Sequence, residues 1–313
     1  MRFGAGDRVA QMDADRFRAN LGDDRSPSIF DWVLRRESSK GAPGAIVFEK
    51  LPLFFLDQII HREHSFSLVA ATSVNVGHIK DLGMTLTFGS RLMEFYESLE
   101  RFRWATPEVA LLSPIADDQR RKAVATFCRT YYDDDQNRIF WLGINPSRVR
   151  PTSTGVPYTD GFALLEKCGI ANDFSKSREM TADFFYQFID AYGGPKAFYA
   201  RHYAGAAYPL SILKKDKYCN YYDKDLPDEV MAAIPDQVRR QADVGHRNVL
   251  VIIGSGENSK VLKSLNDELG IFTHVLVVEH PRYILQYKSA ALQDYIAKFC
   301  DTARTAERLA GLN

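Results

Sequence analysis

The sequence predicts an α/β fold, a three-layer α/β/α sandwich around a short, mainly parallel four-stranded sheet. Three observations predict it. Short apolar runs without alternation read as strands buried on both faces. Segments of helical apolar spacing separate those runs. That alternation implies right-handed βαβ units, hence a parallel sheet with helices on both faces.

In chain order, RLMEFYESLE (91–100) and DDQRRKAVATFCRTYYDD (117–134) carry helical spacing. NRIFWLGI (137–144) is a continuous apolar run and reads as a strand. ADFFYQFIDAY after Thr181 reads as a helix that Gly193, Gly194 and Pro195 stop. A short run at Tyr203–Leu210 follows, then a helix near Asp228–Ala242 and the strand NVLVIIG (248–254). A helix near Asn258–Leu269, the strand THVLVVEH (273–280) and a closing helix from about Ile284 to Cys300 complete the pattern. The regular pattern begins near Thr85, which predicts a domain over 85–313 and an N-terminal extension over 1–84 to which no motif assigns a role. Ser38 to Gly44, rich in Ser, Gly and Pro, reads as a loop or linker within that extension.

Of 313 residues, 45% are hydrophobic and 26% charged, as in ordinary globular proteins. The longest apolar stretch, 45–60, is broken by Glu49, Lys50 and Asp57 and reads as core rather than a membrane span. Acidic residues at Asp7, Asp13 and Asp15, with no apolar h-region, give no secretory signal, so a cytoplasmic location is expected. Cys128, Cys168, Cys219 and Cys300 form no CxxC pair, which predicts buried free thiols in a reducing compartment and no structural metal. Forty basic and forty acidic residues balance to zero, so any nucleic-acid site must be a local basic patch.

Two short segments concentrate the chemistry: WLGINPSRVRPTSTGVPYTD (141–160) and EHPRYILQYK (279–288). Asn145 and His280 each follow a predicted strand, on the carboxyl rim where open α/β sheets bind ligands. Taken singly, Asn145-Pro146 could be a turn initiator, Tyr158 a loop aromatic and His280 a strand-end histidine. GSGENSK (254–260) lacks both the dinucleotide and the nucleoside-triphosphate signatures and reads as a tight strand-to-helix turn. His61, Glu63 and His64 lack metal-site spacing and read as structural or surface residues.

Gly143 to Tyr158 resembles the first motif of uracil-DNA glycosylases of the single-strand-selective monofunctional type, fitting the bacterial branch best. Shared features are the G-I-N-P start, the T-G-V-P stretch from Thr154 to Pro157, and an aromatic directly after that proline. The resemblance spans roughly residues 85–300. It implies a cofactor-free, metal-free and monofunctional enzyme that flips uracil out of DNA, with related deaminated or oxidised bases as further candidates. Hydrolysis of the N-glycosidic bond would then leave an abasic site. Asn145 would orient water, His280 would donate to the uracil O2, and Tyr158 would stack on the extruded base. Gly143, Ile144 and Ser147 would line the base. Ser147 stands where the family usually has glycine, and so narrows the pocket near the base C5 or supplies a hydroxyl there.

Ala206 occupies the position of an asparagine in the animal branch and cannot read the base. The N-Y-Y-D element from Asn220 to Asp223 matches the bacterial branch and transfers edge reading to Asn220, against a turn-capping alternative. Arg148, Arg150, Lys214, Lys215 and Lys217 would form a phosphate-binding strip, or else a solvated charged loop. Arg282, Tyr283 and Ile284 would enter the duplex or touch phosphate. The expected partner is uracil-containing DNA, single- or double-stranded, bound by a monomer. The rival reading is a catalytically weak DNA-damage-binding or defence-associated module on the same fold.

Overall fold

The computed structural model describes residues 86–99, 108–147 and 150–312. The expected extension over 1–84, with His61, Glu63 and His64, lies outside the described residues, as does Arg148. In chain order the elements begin with α1 (Phe88–Leu99), β1 (Val109–Leu112), α2 (Asp118–Tyr131) and β2 (Arg138–Gly143). Next come α3 (Gly161–Glu166), α4 (Met180–Tyr192), α5 (Pro195–Tyr199), β3 (His202–Ala206), β4 (Ser211–Lys214) and β5 (Lys217–Cys219). The remainder is α6 (Asp228–Asp243), β6 (His246–Ile253), α7 (Glu257–Leu269), β7 (His274–Val278), α8 (Pro281–Tyr287) and α9 (Leu292–Leu309).

Four parallel strands form the central sheet in the order β3-β2-β6-β7, as the apolar runs predict. All six residues of β2 are buried, as expected of a strand covered on both faces. Successive side chains point to opposite faces, so Phe140 and Trp141 enter different cores. Phe140 meets Phe88 of α1, Tyr203 and Phe272. Trp141 meets Phe188 of α4, Phe198 of α5 and Phe299 of α9.

The amino end of the sheet carries two buried polar clusters. Arg138, fully buried, donates to the Tyr199 carbonyl and pairs with Asp134, with its guanidinium over the Phe88 and Tyr132 rings. His202 accepts from the Trp141 indole N–H at Nδ1 (3.1 Å) and faces the Glu307 carboxylate through Nε2 (3.0 Å). Burial pushes the His202 imidazole below its usual range despite that carboxylate. The Trp141 donor needs a lone pair on Nδ1, so the ring is neutral and gives its Nε2 proton to Glu307. Arg201 and Tyr192 also donate to Glu307.

Two departures from the sequence reading matter. A second, antiparallel sheet in the order β1-β4-β5 was not foreseen, because strands of three and four residues are too short to show a period. Its β4–β5 hairpin turns on Lys215 and Asp216, both at positive φ (48° and 61°) as a primed two-residue turn requires. The closing helix expected from Ile284 starts earlier and is split. Pro281 at the first helical position begins α8 directly after His280. Lys288 leaves helical geometry (φ −133°, ψ 21°) before α9 begins.

Candidate active site

The first motif leaves the carboxyl end of β2 and folds back on itself. Ala207 and Tyr208 donate to the carbonyls of Gly143 and Ile144, holding the start of the loop against the segment after β3. Further along, the Thr154 hydroxyl donates to the Thr159 carbonyl (2.6 Å) and accepts from the Val156 N–H, closing a tight turn. Gly155 sits in that turn at φ +84°, where a Cβ would strike the Pro114 carbonyl. The turn delivers Tyr158, itself at φ 57°. Its ring stacks on Phe185 of α4 (4.5 Å, 19°). Its hydroxyl lies directly over Gly143, where any Cβ would collide with it. Burial holds that hydroxyl well above its usual pKa, so it stays protonated.

Asn145 is bound to the chain that follows β5. Its Nδ2 donates to the Cys219 carbonyl (3.0 Å), and its Oδ1 accepts from the Tyr221 N–H (3.1 Å). A carbonyl can only accept and an N–H can only donate, so the orientation of the carboxamide is fixed. One lone pair of Oδ1 remains for another partner. The two bonds flank Asn220, so the first motif and the N-Y-Y-D element form one unit. Tyr221 is fully buried, and its hydroxyl donates to Asn258 Oδ1 (2.8 Å). Asn258 Nδ2 in turn donates to the Ile253 carbonyl at the end of β6 (3.1 Å). This ties GSGENSK, a strand-to-helix turn as expected, to the site.

His280 caps α8, with Nδ1 accepting from the Arg282 N–H (3.2 Å). Burial, aided by the Arg282 charge, lowers its pKa to about 4. The ring is therefore neutral near pH 7, with its proton on Nε2 available to donate. In the sheet register, Leu142, Ile252 and Val277 stand side by side. Asn145 lies three positions past Leu142 and His280 three past Val277. Both lie past the carboxyl ends of their strands, with β6 between β2 and β7.

The other expected residues divide. Ser147 is exposed, and Ile144 and Asn220 are half-buried. Arg282 and Tyr283 are exposed on α8 beside the site. Ile284 is fully buried, which corrects the expectation that it enters a duplex. Of the cationic strip, Lys217 is exposed, while Lys214 reaches the Asp225 carbonyl, Lys215 pairs with Glu108 (3.1 Å) and Arg150 lies 3.8 Å from Glu179. Cys219 is half-buried rather than buried, being at the hairpin end, and the other three cysteines are buried and free.

Sequence reasoning missed Phe185, Tyr218 and Asn258. Phe185 and Asn258 read as helix core and turn, and Tyr218 sits on a strand of three residues. The positive-φ pair at Lys215 and Asp216 leaves no residue signature of its own, since glycine or asparagine would be expected there. Among the described residues no group of three or more His, Cys, Asp or Glu could hold a metal ion. No described helix is long and apolar enough to cross a membrane.

Comparison with known proteins agrees with this fold. The family model "Uracil DNA glycosylase superfamily" matches residues 130–304, which contain both motifs and all four strands of the parallel sheet. A solved structure described as wild-type Pedobacter heparinus SMUG2 is similar at a TM-score of 0.66 and 30% sequence identity, covering 71% of this chain and 99% of that chain. Among curated proteins no sequence matches. The chain belongs to the uracil DNA glycosylase superfamily, in its single-strand-selective monofunctional type.

Proposed function

We propose that this chain is a monofunctional glycosylase that excises uracil from DNA by hydrolysing the N-glycosidic bond. The observation that supports the reading is that Asn145 and a neutral His280 each follow the carboxyl end of a strand of the parallel sheet, β2 and β7, with Tyr158 in the same loop as Asn145 and stacked on Phe185. Flipping a nucleotide costs a few kcal/mol. Stacking of the base on Tyr158 offsets roughly 1–3 kcal/mol of that.

As the C1′–N1 bond breaks, the base leaves with the bonding pair and the sugar becomes oxocarbenium-like. Nε2–H of His280 donates to O2, where the charge develops. A neutral donor suits this role, because burial has already excluded the imidazolium. The unused lone pair of Asn145 Oδ1 orients a water that adds to C1′, and its proton passes to solvent. Asn220 reads the imide edge of the base. Gly143, Ile144 and Ser147 line the pocket; Lys217, Arg282 and Tyr283 face the DNA, Arg150, Lys214 and Lys215 join them by exchanging their protein partners for phosphate, and Arg148 is assigned to the same strip from the sequence. The enzyme acts as a monomer, with 1–84 as a separate extension from the domain over 85–313.

The test is a single-uracil oligonucleotide incubated with the protein and then treated with alkali. Strand scission is expected for the native chain. Removing one preorganised donor costs about 2.7–4 kcal/mol, so His280→Ala should slow excision by about two to three orders of magnitude. Asn145→Ala should also abolish scission. Tight binding with no scission, indifferent to both substitutions, would mark a damage-binding module instead.

A further inference from the structure

The Asn220 carboxamide lies between the Asp223 carboxylate and the Tyr218 hydroxyl. Asp223 Oδ2 accepts from the Asn220 backbone N–H (2.8 Å), and Asp223 Oδ1 faces Asn220 Nδ2 at 3.4 Å. On the other side the Tyr218 hydroxyl lies 3.3 Å from Asn220 Oδ1 and 3.4 Å from the Asn145 carbonyl. Burial, with Tyr222 and Asp223 nearby, raises the Tyr218 pKa, so the hydroxyl keeps its one proton, and since it can accept as well as donate it does not set the direction of the amide. The backbone around Asn220 cannot turn. Asn145 holds both neighbouring peptides, the Asp223 N–H donates to the Asn220 carbonyl (3.0 Å), and Tyr221 is anchored on Asn258. The freedom left to the side chain is a flip of its amide.

A carboxylate is acceptor-only, so a flipped amide would set oxygen against oxygen. The present orientation leaves one lone pair on Oδ1 and one N–H on Nδ2 unused. Those two suit an N–H and a carbonyl side by side, as on the uracil imide edge. Cytosine presents the reverse pair, a bare ring nitrogen beside an amino group, and would suit the flipped amide.

We propose that Asp223 is a positioning residue that fixes the direction of the Asn220 amide and thereby makes the site select uracil over cytosine. This rests on Asn220 reading the base edge, as proposed above.

The test compares single-turnover excision from uracil and cytosine oligonucleotides by the full-length protein. In Asp223→Asn the new carboxamide can still accept from the Asn220 N–H, but its NH2 now faces the Asn220 side chain and favours the flip. Uracil excision should fall about tenfold or more while cytosine excision becomes detectable. Unchanged uracil excision, or a fall with no cytosine excision, overturns the proposal. Asp223→Ala, which removes the acceptor and lets the amide point either way, should lower uracil excision a few-fold, about two to five, and decides the matter if Asp223→Asn does not fold; no change in it overturns the proposal. Asn220→Ala separates the two levels. If it leaves uracil excision intact, Asn220 does not read the base and both proposals fall. If it abolishes excision while Asp223→Asn behaves as the native chain, only the positioning role fails.

Discussion

Tyr158 and Gly143 meet so closely that neither can be understood apart. The ring takes its position because Phe185 backs one face and because Gly143 has no Cβ beneath the hydroxyl. Gly143→Ala should therefore displace the ring and reduce uracil excision by one to two orders of magnitude, about 1.4–3 kcal/mol of transition-state stabilisation. Tyr158→Phe removes the colliding hydroxyl and keeps the stacking surface, so the double variant should recover part of the loss. Rate constants from the four-member cycle would show this as a coupling of about 0.5 kcal/mol or more; strict additivity would mean that the contact does not govern the ring. Tyr158 was legible from its spacing to Asn145 and from the proline before it. Its backing by Phe185 was not, because that contact spans 27 positions and Phe185 looks like any other core aromatic of a helix.

Helix α9 does more than cover the sheet. Near its last turn Glu307 gathers donors from His202, Arg201 and Tyr192. Partial burial alone would raise its carboxyl pKa. The hydrogen bonds from His202 and Tyr192, with the Arg201 charge, outweigh that and hold it near 2. A carboxyl depressed in the folded state stabilises above its unfolded pKa, about 4.5, and that contribution drains away as pH falls towards 2. His202 acts at a higher pH. Kept neutral by burial, it takes up a proton in the unfolded chain below about 6.5, which also favours unfolding in acid. Thermal melts should therefore show stability falling steadily below about pH 6.5, and Glu307→Gln should flatten the lower part of that curve. The same substitution should cost about 2 kcal/mol at pH 7, or roughly 4–8 °C in Tm. A melt curve from the variant that parallels the native one between pH 6 and 3 would refute this account of the α9 contact. The apolar face of α9 was readable, although its start was not. The glutamate's buried role was not readable, since a charged residue near a helix end ordinarily reads as solvated.

On the scale of the whole molecule, attraction to DNA must come from a few charges, since the chain is neutral overall. Lys214, Lys215 and Arg150 already have protein partners, which leaves Lys217 and Arg282 among the exposed cations near the site. Two to four phosphate contacts correspond to a log–log salt slope of roughly −2 to −4. Equilibrium binding to a uracil-containing oligonucleotide over a range of salt concentrations should give that shallow slope; one near −8 would require a basic surface elsewhere in the chain. The parallel sheet and its two rim residues could be read from sequence because buried strands are written as unbroken apolar runs, and function gathers at their ends. The β1-β4-β5 sheet could not, nor could the meeting of Asn145 with positions 219 and 221, which lie 74 and 76 residues away. That meeting limits how the enzyme could change. An aspartate at 145 would be the better base, yet it would set a negative oxygen against the Cys219 carbonyl where an amide hydrogen now sits. On the roles proposed for Asn145 and Asn220, reactivity and discrimination would be inherited through one side chain, and a single codon that improved the first would loosen the second.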